Sequence, residues 1–176
     1  DDIDNKDFIS NRNKETKTSN YRELEGGIPS PNKKKKSLKY RDEDLPVLLK
    51  QLYGDICYTY PIQFSEVDCE FAVNITLSFF RRYEKVYGEQ HPIPSEDHAA
   101  DIMESIARVN ADMEEDEVMY ENQYRYWFTA IDEFFKSDYG KNTKKKYDKK
   151  IYLFLSKGNQ DILFARIKDK FQNQPY

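Results

Sequence analysis

Long apolar runs are missing from this sequence. No stretch approaches the roughly 18–20 consecutive apolar residues that a membrane-crossing helix needs, and the N-terminus carries no apolar segment with a cleavage site of the secretory kind. The residues present are therefore expected to be soluble and intracellular, most simply cytoplasmic. The opening residue, Asp1, is not Met, so a processed product or a piece of a longer protein is equally expected. Cysteine is almost as scarce. Cys57 and Cys69 alone cannot form the disulfide framework that small secreted domains rely on, so both are expected to be reduced and buried. Glycine is sparse, and Gly26-Gly27 is not followed by the strand-turn-helix pattern that a phosphate loop requires. No G-x-S-x-G elbow occurs either, and nothing singles out one tyrosine as catalytic. Neither a catalytic constellation nor a cofactor is expected.

Aromatics fill the gap. The chain has 14 Tyr, 11 Phe and a single Trp, so each helix can bury a large area per residue, and aromatic pairs add about 0.5–1.5 kcal/mol beyond that burial. The densest cluster lies between Val118 and Ser137. There Tyr120, Tyr124, Trp127, Phe128, Ile131, Phe134 and Phe135 recur at steps of three and four, which predicts one buried helical stripe. Off that stripe, Tyr126 is the one large aromatic expected to face outward.

The periodicity predicts an all-α chain, an irregular bundle of about five to six helices behind a disordered or extended N-terminal tail. Residues 1–41 are polar, punctuated by Gly and Pro, and too poor in apolar side chains to offset their ordering entropy, so they read as a tail or linker and 42–176 as the helical domain. A first helix starts at Asp42 to Asp44 with Pro46 in its first turn, ends at or just past Gly54, and presents Val47, Leu48, Leu52 and Ile56. A second, over 65–87, opens on a Ser65–Asp68 capping box and stops at Gly88. Its row is Val67, Phe71, Ile75, Phe79, Tyr83 and Val86, widened by Ala72, Leu77 and Phe80, which places it at the centre. Ser95 caps a third helix with Ala99, Ile102, Met103, Ile106 and Val109 inward. After the aromatic helix, stopped by Tyr139-Gly140, a fifth runs from Lys144 to Gly158. Asn159 then caps a sixth with Ile162, Leu163, Ile167 and Phe171 inward.

Charge is segregated more sharply than the net −4 suggests. Residues 1–41 carry 11 basic and 7 acidic side chains, 42–140 carry 7 and 22, and 141–176 carry 10 and 3. An acidic body thus lies between two basic arms, which bears on association rather than on fold. Either the last helices dock on the body and cancel its charge, or Lys141, Lys144, Lys145, Lys146, Lys149 and Lys150 face outward as a phosphate-binding patch, with Tyr147 or Tyr126 free to stack on a base. A four-lysine run, Lys33 to Lys36, reads as a solvated linker or a nucleic-acid contact.

Other constellations are thin. His98, Asp101 and Glu104 share one side of the third helix and His91 precedes it, but the second helix with a matching Glu-x-x-His, which a bundle metal site needs, is absent. The acidic run 112–117 lacks the alternating ligands of a calcium loop and reads as a helix junction. Gln160, Asp161, Arg166, Lys168 and Lys170 on the sixth helix fit a recognition helix, yet equally an ordinary helical hairpin. The expected function is a non-enzymatic helical interaction module, part of a larger protein or assembly, whose partner is another protein. The alternative is a nucleic-acid-binding accessory domain of a replication or mobile-element protein; a membrane partner is not expected.

Overall fold

The computed structural model describes residues 39–136 and 150–173. Residues 1–38 of the tail expected over 1–41, the Lys33–Lys36 run, the Tyr139-Gly140 stop and the helical start expected at Lys144 lie outside the described residues. Within them the chain is all-α: six helices and no strand. A single 3₁₀ turn, Asp42–Asp44, leads into α1, Leu45–Thr59. Then follow α2, Glu66–Tyr87, α3, Glu96–Glu114, α4, Gln123–Lys136, the one-turn α5, Ile151–Phe154, and α6, Lys157–Asn173. No described helix is long and apolar enough to cross a membrane.

The first four helices run up, down, up and down. Cys57 at the end of α1 meets Ser65 at the start of α2, while Tyr53, one turn earlier, bonds Thr76 further along α2, so these two are antiparallel. In contrast Phe71 meets Tyr124 and Arg82 meets Asp132, so α2 and α4 rise together. The α1–α2 connection and the α3–α4 connection therefore share one end of the bundle. At the other end sit the α2–α3 connection and Tyr40, whose hydroxyl donates to the His91 carbonyl at 2.9 Å. Composition put Tyr40 in the tail; three hydrogen bonds to the 90–91 segment tie it to the body.

Helix α2 follows the sequence signals closely. Ser65 Oγ accepts from the Asp68 amide while the Asp68 carboxylate accepts from the Ser65 amide, and Gly88 ends the helix at φ 74°, a left-handed conformation that costs glycine little. Ser95 likewise caps α3, whose expected face is buried in full. Trp127 is wholly buried, and its indole N–H donates to Asn110 Oδ1 at 2.8 Å.

Several expectations are corrected. In α1 the inward row is Leu45, Leu49, Tyr53 and Ile56, and Val47 is 64% exposed. Both rows fit a helical period; the buried one carries the larger side chains and the hydroxyl that Thr76 can satisfy. The helix runs through Gly54, because about 1 kcal/mol of lost propensity is small beside burying Tyr53 and Ile56. Val67 and Val86, at the two ends of the α2 row, and Ile162 on α6 are exposed, since no element covers them. Helix α4 begins at Gln123, five residues later than expected. The Asp116 carboxylate captures the amides of Val118 and Met119, which turns the chain before the helix starts and leaves Tyr120 outside it.

The largest correction concerns Tyr126, which is wholly buried. Its hydroxyl donates to Gln160 Oε1 at 2.7 Å and its ring packs on Phe164. Helix α4 is covered on a second side by α6, so Tyr126 goes inward and Phe128 is left exposed. The break between the last two helices also differs. Gly158 and Asn159 lie inside the first turn of α6, and the side-chain amides of Asn159 and Gln160 donate back to the carbonyls of Leu153 and Phe154, closing the end of α5. Cys57 and Cys69 are free thiols but only half-buried, because α1 and α2 meet at the edge of the bundle there.

A candidate interaction surface

Groups able to do covalent chemistry are mostly committed to structure. His91 is buried against Phe80 at 4.1 Å and accepts the Ile151 amide proton on Nε2. Burial pushes the Cys57 thiol up to about 11, with Cys69, Asp68 and Glu66 adding to it, and burial foremost also raises Cys69. Neither is a thiolate at neutral pH, and the thiolate is the nucleophile. Tyr53 and Tyr126 are raised far above the ordinary phenol value, principally by burial. The His98 ring rests on Tyr152, and among the described residues no three His, Cys, Asp or Glu side chains converge as metal ligands.

The charges of α6 point back at the protein. Lys168 pairs with Asp116 at 2.5 Å, Lys170 pairs with Glu133, and Arg166 approaches the same carboxylate at 4.0 Å. The basic residues once available for a recognition helix thus neutralise the acidic body. Lys141, Lys144, Lys145, Lys146, Tyr147 and Lys149 lie outside the described residues. Lys150 is described, half-buried at the residue preceding α5.

The acidic run 112–117 does form a helix junction, and it borders a groove of about 400 Å³ between α3 and α6. Its lining includes Asp112, Glu115, Asp116 and Asp161, with Arg108 among them and Val109 and Phe164 as apolar wall. Burial by itself would raise the Asp116 carboxyl, but Lys168 and the amides of Met119 and Val118 outweigh it and hold the group below the usual carboxylate range. A depressed folded-state value means stability that is present above the unfolded value near 3.9 and lost as pH falls through the folded one. Asp116→Asn is therefore expected to lower stability at pH 7 and to flatten the loss of stability on going from about pH 5 to 2. Urea titrations of both proteins across that range check it; an unchanged acid slope would contradict the assignment.

At the end shared by the α1–α2 and α3–α4 connections, the apolar surface opens to solvent. Ile62 is 100% exposed and Tyr58 87%, with Tyr60 beside them in the first connection. On the α2–α4 flank, exposed Val67 lies one turn before Phe71; Phe71 stacks on Tyr124 at 4.2 Å, and Tyr124 stacks on exposed Phe128 at 5.8 Å. Tyr120, in the turn before α4, is exposed as well. Six of the eleven large apolar side chains that are exposed among the described residues gather at this one end, where scattered single exposures would be the ordinary case.

In comparisons with protein-family models, curated proteins and solved structures, nothing matches the chain. Sequence periodicity assigned Val67, Tyr120 and Phe128 to the core, which hid the surface. The signal that marks it was present nonetheless, in the Tyr58–Ile62 stretch at the end of α1 and in the connection after it, which has no apolar stripe of its own.

Proposed function

We propose that this chain is a non-enzymatic helical interaction module that engages another protein through the end carrying Tyr58, Ile62, Val67 and Phe128. The observation that carries the reading is the concentration of exposed aromatic and aliphatic side chains there. Leaving large apolar groups in water forfeits about 25 cal/mol for each Å² that a partner could cover, and contiguous patches of this kind mark contact sites. The committed state of His91, Cys57 and Cys69 supports an interaction role over a catalytic one. Photo-crosslinking tests it: a benzophenone side chain at Ile62 or Phe128 of the full chain, expressed in the cells that make it, is expected to give a discrete protein adduct. The same probe at Val86 or Ile162, exposed elsewhere, is expected to give none. Absence of an adduct at the first two positions would overturn the reading.

A further inference from the structure

The apolar end has an acidic rim, in which Lys168 answers Asp116 and the remaining carboxylates have no described ion-pair partner. Between Lys50 and Arg81 the chain carries Asp55, Glu66, Asp68 and Glu70 and not one Lys or Arg. Between Arg108 and Arg125 it carries six acids and again no base. The up-down topology brings these two stretches to the same end, one through the α1–α2 connection and the other through the α3–α4 connection. On the α4 side of the body two acids are answered, Asp132 by Arg82 and Lys136, Glu133 by Arg166 and Lys170. No described Lys or Arg pairs with Glu66, Glu70, Glu117 or Glu121.

Shape adds to charge. Val67 and Phe71 on α2 stand one turn apart, as do Tyr124 and Phe128 on α4, and the two helices run parallel with their rings in contact. Two parallel rows spaced by a helical turn offer a seat for the apolar stripe of a third helix, whose own side chains recur at three and four residues. Resting on the interaction reading above, we infer that the occupant of the α2–α4 flank is a basic amphipathic helix of a partner protein. Its apolar stripe covers Val67, Tyr124 and Phe128 while its Lys and Arg side chains meet Glu66, Glu70, Glu117 and Glu121. Charge of this kind steers encounter and selects the partner, and the aromatic row supplies the buried contact.

The probe is an 18-residue helical peptide with Leu at i, i+3, i+4 and i+7 and Lys elsewhere, titrated into the full chain by calorimetry at two salt concentrations. Two controls accompany it, a scramble of the same composition without the stripe, and the same stripe with Glu in place of Lys. The striped Lys peptide is expected to bind at least tenfold tighter than either control, and more weakly at high salt. The double variant Val67→Ser with Phe128→Ser is expected to weaken it at least tenfold, and Val86→Ser at the far end to leave it unchanged. Should that double variant fail to fold, Glu66→Lys with Glu121→Lys, both on exposed positions, is expected to give the same loss. Equal affinity for the scramble, or indifference to both double variants, would overturn the inference. So would a wild-type dimer in sedimentation that Val67→Ser with Phe128→Ser dissolves, since the flank would then belong to a second copy. Crosslinking at Ile62 together with a null peptide titration would remove this partner chemistry and leave the interaction reading standing; no crosslinking at all removes both.

Discussion

Trp127→Ala is expected to lower the unfolding free energy by about 3–5 kcal/mol, the usual cost of emptying the site of a large buried aromatic. The ring is wholly buried between Tyr126, at 5.2 Å, and Phe154, at 6.1 Å, so no neighbour can move in without breaking its own packing. Part of the loss is polar. The indole N–H satisfies Asn110 Oδ1, and Gln123 Nε2 donates to the Asn110 carbonyl, so the same asparagine joins α3 to the start of α4 twice. Trp127→Phe separates the two contributions: it restores most of the ring but leaves the amide oxygen without its donor, and about 1–3 kcal/mol of the loss should remain. Urea unfolding followed by circular dichroism measures both. A loss below about 1 kcal/mol for the alanine variant would mean that the core closes over the gap, contrary to the packing described.

His91→Phe is expected to cost about 1–3 kcal/mol although it keeps a flat ring in the same slot. The imidazole does three things there. It stacks on Phe80 at an interplanar angle of 13°, its Nδ1 lies 2.8 Å from the Pro92 carbonyl, and its Nε2 accepts the Ile151 amide at 3.1 Å. An acceptor at Nε2 and a carbonyl partner at Nδ1 fix the proton on Nδ1, so the ring is neutral and donates to Pro92. Phenylalanine reproduces the stacking and neither hydrogen bond. The orphaned Ile151 N–H is the first amide of α5, and a helix of one turn has few other bonds to hold it. Hydrogen exchange should therefore rise at 151–155 well before it rises in α1 to α3. Uniform loosening of the whole bundle would instead show that His91 matters only through its volume.

A consequence joins the two experiments. Both side chains touch the α5 region, His91 through its backbone amide and Trp127 through Phe154, so their effects should not add. The double variant is expected to be less destabilised than the sum, by about 0.5–3 kcal/mol, as residues sharing a packed element commonly are. A double-mutant cycle reads the coupling directly.

Much of the helical framework was legible from sequence. The Ser65 and Ser95 caps, the Gly88 stop and the complete inward face of α3 are local effects, in which side chains within four residues of one another decide the backbone. The burial of Trp127 followed for the same reason, from its place in mid-stripe. What periodicity could not decide was which of two adequate stripes meets a neighbour. Tyr126 went inward and Phe128 outward because α6 covers the second side of α4, and Val47 lost to Leu49 because α2 lies on that side of α1. The same holds for charge. The counts along the chain displayed an acidic body and basic arms, but only docking of α6 decided that Lys168 and Lys170 answer Asp116 and Glu133, while Glu66 and Glu121, more than fifty residues apart in sequence, lie toward one end with no described ion-pair partner. Burial and ion pairing depend on elements distant in sequence, and a helix carries no record of which of its faces those elements will cover.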